Sequence, residues 1–150
     1  MLAAQSLLAR GDAVAAQRAL EPYARDGARA TALLAAQIAN GLPAGERAAR
    51  QRSAEELQTW TALNPRDAAA WQLLGHTWNG LGQPLRALRA EAEARGAVAD
   101  TVGAIDRLRA GRSLARSAGT VDHIEAAVID ARLRDLEAQR RAEMAEERGR

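Results

Sequence analysis

Few side chains in this sequence could do covalent chemistry, and their spacing limits them further. The two histidines, His76 and His123, lie 47 positions apart. A zinc-peptidase helix needs two histidines one turn apart with a glutamate base, HExxH. Neither histidine belongs to such a motif. There is no cysteine, which removes thiol nucleophiles, disulfides and cysteine-rich zinc sites. Ser6, Ser53, Ser113 and Ser117 have no histidine–carboxylate setting that a sequence can display. The glycine-rich GLPAG at 41–45 lacks the lysine and the preceding strand of a phosphate loop. Asp106, Asp122 and Asp130 fit helix caps and helix faces. The expectation is a chain without catalytic activity of its own and without a cofactor.

The stretch AAAWQLLGHTWNGLGQ, residues 68–83, raises a different chemistry. Trp71 and Trp78 sit seven apart on one helical stripe, with Gly75 and His76 between them. Three Trp and one Tyr are all the aromatics the chain has. Such a stripe serves as a stacking platform, a ligand site, or packing. Composition favours packing. Apolar residues make up 47% but aromatics only 3%, so Ala and Leu carry the core. That mix suits close-packed helices rather than sheets.

Charge excludes some partners. Every basic side chain is Arg, and the formal net charge is only +2. The pI of about 10.2 arises because almost nothing titrates between pH 7 and 10. This is not the charge balance of a nucleic-acid binder. No run of about 18 apolar residues occurs, so no membrane insertion is expected. MLAAQSLLARGD does not read as a signal peptide; it reads as a half-formed helix cut from a longer protein.

The elements that position these residues are helices with short breaks. Leu2–Ala9 is closed by Gly11. Asp12 caps a second helix to about Arg25, with Pro22 loosening its last turn. Ala28–Asn40 is a third. Pro43 and Gly45 open a fourth, to about Leu63, with Leu57, Trp60 and Leu63 on one face. Asp67 caps Ala68–Leu81. Pro84 starts a sixth helix to about Gly96, and Asp100 caps a seventh to about Ser117. Ser117-Ala118-Gly119-Thr120 is the next break. Asp122-x-x-Glu125 reads as a capping box for the eighth helix. In that helix Ile124, Val128 and Ala131 form one apolar stripe, and Ile129, Leu133 and Leu136 its neighbour. Beyond Ala138 no apolar stripe remains. The expected organisation is one domain over 1–140 and a charged, fraying tail over 141–150.

Eight helices with short breaks call for a repeat search. Trp71-x-x-Leu74-Gly75-x-x-Trp78 matches the first-helix signature of a tetratricopeptide repeat, with Trp in the Tyr place. Pro65 stands where a repeat closes, Gly82 at the turn, and Ala87 at the small position of the second helix. Gly75 then lets the partner helix approach, offsetting a propensity cost of about 1 kcal/mol. Ala16, Ala49 and Ala87 are 33 and 38 apart, near the repeat period of about 34 residues. Ala104 follows at a half-period, and Glu91 replaces the expected aromatic. The expected fold is all-α, a tetratricopeptide-like α-solenoid of about eight antiparallel helices.

A more specific resemblance covers residues 65–140 well and the rest loosely. The Ala-Glu phrases at 90–93, the helix from Ala104-Ile105 to Leu108 and the final helix from Ile129 to Leu133 resemble the C-terminal repeat region of BepA-type periplasmic zinc metallopeptidases, the β-barrel assembly-enhancing proteases. The resemblance implies a non-catalytic, protein-binding part, with zinc held only by an upstream HExxH domain. It also implies a periplasmic location. The implied partners are the chain's own peptidase domain and the outer-membrane assembly machinery, in outer-membrane protein quality control. The other reading is a stand-alone tetratricopeptide adaptor with no peptidase.

In either case the partners are proteins or peptides. In a tetratricopeptide first helix, Trp71 and Trp78 face the core. Gln72, His76 and Asn79 then face the concave groove, where they could hydrogen-bond a peptide; the plain alternative is that they are solvated. Arg86, Arg89 and Arg95, interleaved with Glu91 and Glu93, read as a solvated face, with Glu91–Arg95 worth about 0.3–0.5 kcal/mol. Arg109, Arg112 and Arg116 share a helical face. That face could meet an acidic partner or the catalytic domain, or be merely solvated.

Overall fold

A computed structural model describes residues 1–119 and 122–150. The helices are α1 (Leu2–Ala9), α2 (Ala13–Leu20), α3 (Arg29–Gly41), α4 (Arg47–Leu63), α5 (Ala68–Gly80), α6 (Pro84–Ala97), α7 (Thr101–Ser117) and α8 (His123–Arg148). No strand occurs among the described residues. The fold is all-α. Each helix packs on the next in sequence from α1 to α8, and α3 also packs on α5, one hairpin further on. That is a solenoid-like stack.

Local signals account for most of the helix ends. Asp12, Asp67, Asp100 and Asp122 each accept a hydrogen bond from the backbone N–H three residues on, at 2.9–3.2 Å. Each satisfies one donor that a helix start leaves open. Three connections share one geometry. The residue at the turn is left-handed, at Gly11, Gly82 and Ala99. The next residue donates its N–H to the carbonyl five back: Asp12 to Leu7, Gln83 to Trp78, Asp100 to Arg95. This is the Schellman arrangement, and here its last residue is the N-cap of the following helix. Ala99 holds the same turn at φ 62°, a conformation that costs a residue with a Cβ about 1–2 kcal/mol.

Several expectations need correcting. The second helix stops at Leu20, and Glu21–Tyr23 forms a 3-10 turn because Pro22 cannot donate to the ladder. The fourth helix starts at Arg47, after Pro43 and Gly45 rather than at them. The buried Arg50 side chain donates to the carbonyls of Leu42, Pro43 and Ala44 and so ties down that turn. Of the break at 117–120, Thr120 lies outside the described residues. The eighth helix runs to Arg148. Its side chains over 141–148 are mostly exposed, with Gln139 bonded to Glu143.

The core is built between successive helices. Trp71, Leu74 and Trp78 are buried with Leu57, Leu81, Ala87 and Ala90. The small positions Ala16, Ala49, Ala87 and Ala104 are all buried. A Cβ added at Gly75 would meet the Ala87 carbonyl oxygen at 3.3 Å, so the glycine marks a close helix–helix contact. In α8 only one of the two apolar stripes is used. Ile129, Leu133 and Leu136 are buried, whereas Ile124 is 80% exposed and Val128 39%. The face named for Leu57, Trp60 and Leu63 also divides: Leu57 is buried and Leu63 is 77% exposed.

Six of the long-range side-chain bonds share a spacing, while Thr31–Met1 and Arg109–Glu137 span 30 and 28 residues. Arg29–Asp67, Asn40–Thr77, Arg47–Leu81, Arg86–Asp122, Arg89–Glu125 and Arg132–Glu93 span 38, 37, 34, 36, 36 and 39 residues. Each of the six therefore joins positions 34–39 residues apart.

Candidate functional site

The structure separates three surfaces. The first is a seam between α6 and α8. On α6, Arg86 and Arg89 sit one turn apart. The Arg86 guanidinium lies 5.0 Å from the Trp78 ring centre, and Arg89 lies 5.9 Å from Trp71. On their far side Arg86 donates to Asp122 and Arg89 to the buried Glu125. Further along, Arg132 of α8 grips Glu93 of α6 with two bonds, at 2.9 and 3.0 Å. A guanidinium suits this place because its face stacks on an indole while its edge meets a carboxylate. Arg86 and Arg89 are thus not a solvated face. Nor do Glu91 and Arg95 pair as read from their spacing: Glu91 pairs with Arg107 and Arg95 with Asp100.

The second surface is the strip Gln72, His76 and Asn79. The structure brings these three together as exposed residues of α5, opposite the buried tryptophans. The Asn79 amide lies 3.4 Å from Glu91 Oε1. Glu91 occupies the place where the repeat pattern expects an aromatic. Its stem lies against Gly75 and its carboxylate reaches towards Arg107. The basic set divides. Arg109 pairs with Glu137 at 2.9 Å. Arg112 and Arg116 line a small pocket with His123 and Asp130 at the junction of α7 and α8. His76 is on α5 and His123 opens α8. Among the described residues no group of three or more His, Asp or Glu could hold a metal ion. No described helix is long and apolar enough to cross a membrane.

The third surface was not anticipated from the sequence. α2 and α4 stand apart on either side of α3, leaving an open cleft of about 920 Å³. Its floor is α3, with Ala32, Ala35, Ile38 and Ala39. Arg18 and Glu21 rise on one side, and Arg52, Glu55 and Glu56 on the other. Ala13, Ala39, Leu42 and Ala49 cluster at one end. At the other end the lining Trp60 is held by Asp67, which accepts bonds from its indole, from Arg29 and from the Ala70 amide. The Arg29 guanidinium bonded to Asp67 is the main reason this carboxyl lies well below the usual range, with the Trp60 and Ala70 donors adding to it. Trp60 and the exposed Leu63 line the cleft at that end. Trp60 and Leu63, spaced as a helix face with one member uncovered, were the only sequence hint.

These surfaces can bind, brace and present side chains. No protein-family model matches the chain, and no curated protein matches it.

Proposed function

We propose that this chain is a non-catalytic protein-interaction module of the tetratricopeptide type. The supporting observation is that six of its long-range bonds span about one repeat, 34–39 residues. Repeats that brace only their neighbours build an extended surface, and such surfaces serve recognition. The Trp71-x-x-Leu74-Gly75-x-x-Trp78 phrase, with Gly75 at a close helix contact, favours the same reading.

On the resemblance of its last helices, the module belongs to a BepA-type periplasmic zinc metalloprotease. There it would hold substrate or scaffold proteins for a zinc site on another domain. The stand-alone adaptor is the second reading. The coding sequence upstream of Met1 tests the choice. A signal peptide followed by HExxH supports the protease reading, and a natural start at Met1 overturns it. Photo-crosslinkers placed at Ala35 and at His76 test interaction itself in the native host. A discrete protein adduct at either position supports the module reading. Adducts absent from both, with the protein folded and expressed, overturn it.

A further inference from the structure

We infer that the cleft over α3 receives an amphipathic helix of a partner protein with basic residues at its middle. This rests on the protein-interaction reading and names the partner's form. The first argument is length. The floor runs along α3 from Ala28 to Ala39, about 17 Å at 1.5 Å per residue. That takes about three turns of helix, or about five residues of extended chain.

The second argument is backbone hydrogen bonding. An extended peptide brings unpaired N–H and C=O groups that need partners when covered, whereas a helix satisfies its own. The cleft carries Gln17, Ser53 and its charged side chains on the walls and offers an extended chain little along the floor. Its floor is chiefly alanine with Ile38. The Thr31 hydroxyl already donates to Asp26, and the Thr59 hydroxyl to the Glu55 carbonyl. Alanines on the floor instead leave room for large apolar side chains spaced i, i+4, i+7.

The third argument is charge. α2 and α4 each run antiparallel to α3, so they are parallel to each other across the cleft. Arg18 and Arg52 therefore lie towards the Ala39–Ala49 end, and Glu21, Glu55 and Glu56 in the middle. Trp60 and Leu63 lie towards the far end, where Arg25 and Asp26 also line the cleft with opposite charges. A complementary helix carries Arg or Lys at its middle, an acidic residue at one end and a large apolar residue at the other.

The test uses the chain of residues 1–150 and three synthetic peptides of about 15 residues, long enough to form helix. The first has a leucine stripe at i, i+4, i+7 with central arginines. The second replaces those arginines with glutamate. The third keeps the first composition but carries two central prolines, which break helix. Affinity is read by fluorescence anisotropy. The expected result is saturable binding of the first peptide, at least ten-fold tighter than either control. Ala35→Trp, which fills the floor, and the rim double variant Glu55→Arg/Glu56→Arg each weaken it at least ten-fold with unchanged circular dichroism. If Ala35→Trp fails to fold, the exposed rim variant decides alone. Equal or tighter binding of the proline peptide overturns the helix but leaves a peptide-binding cleft. Binding of the first peptide that neither variant weakens overturns the cleft as its seat. No binding by any of the three overturns the inference, while the crosslinking at Ala35 and His76 still decides the broader reading.

Discussion

The α6–α8 seam and the α2–α4 cleft are equivalent places in the stack, with α5 between them. In each, two parallel helices flank the helix that connects them. At the seam the gap is closed by Arg86–Asp122, Arg89–Glu125 and Glu93–Arg132. At the cleft no ion pair joins α2 to α4 among the described residues, and about 920 Å³ stays open. Charged side chains are present on both walls of the cleft, so charge alone does not close a gap. What differs is backing. Arg86 and Arg89 lie over tryptophan rings, a contact that restricts the side chain. Nothing comparable stands behind Arg18. Side-chain entropy of about 2 kcal/mol then opposes any bridge it might form.

The largest effect should come from Trp71→Ala. It removes a buried indole, its bond to the Pro65 carbonyl and the platform under Arg89. The expected loss is about 3–5 kcal/mol in urea unfolding. A loss under about 1 kcal/mol would mean that Trp71 is not a core anchor of the seam.

Glu125→Ala should come next. It leaves Arg89 without its carboxylate beside a nearly buried site, at a cost of about 2 kcal/mol because Arg89 keeps partial contact with water. The matching change across the cleft, Glu55→Ala, should stay within about 0.5 kcal/mol. Equal losses from the two would erase the contrast between seam and cleft.

Gly75→Ala should cost about 1–2 kcal/mol. The new methyl meets the Ala87 carbonyl oxygen, part of a backbone that cannot swing aside, and this crowding outweighs the gain of about 1 kcal/mol in helix propensity. An increase in melting temperature would show that the α5–α6 contact has slack.

Acid should act on both regions. The Asp67 and Asp122 carboxyls are held below their ordinary value of 3.8. For Asp67 the bond from Arg29 is the main cause; for Asp122 it is the Glu125 amide. A depressed folded-state pKa adds stability above the unfolded value, and that stability is lost as pH falls through the folded one. Stability should therefore decline as pH drops below 3.8. Asp67→Asn should flatten part of that decline in unfolding titrations; an unchanged slope would remove Asp67 from the account. His76→Ala should have the smallest effect, within about 0.5 kcal/mol, because the side chain is exposed. A clear loss of stability would place His76 in a packing role instead.

Some of this was readable from the chain alone. Asp12, Asp67, Asp100 and Asp122 announce helix starts because the bond each accepts lies three residues away. Trp71, Gly75 and Ala87 announce a helix pair because a tryptophan needs burial and a glycine in a helix needs a reason. The seam was not readable. Arg86 and Arg89 look like ordinary surface arginines until α8 arrives 36 residues later. In α8, Ile124 and Val128 match the core stripe in type and spacing, yet face outward. Periodicity finds apolar faces but does not say which one a neighbour covers.

The sequence by itself determined the all-α class, the places where helices begin and turn, and the small and aromatic positions that pack one pair. Those depend on interactions within a few residues. Only the tertiary structure decided which charges meet, which apolar stripe of α8 is used, and that α2 and α4 stand apart. Those outcomes depend on the relative placement of helices a full repeat apart, where competing local arrangements of similar energy are resolved by what is already packed behind each side chain.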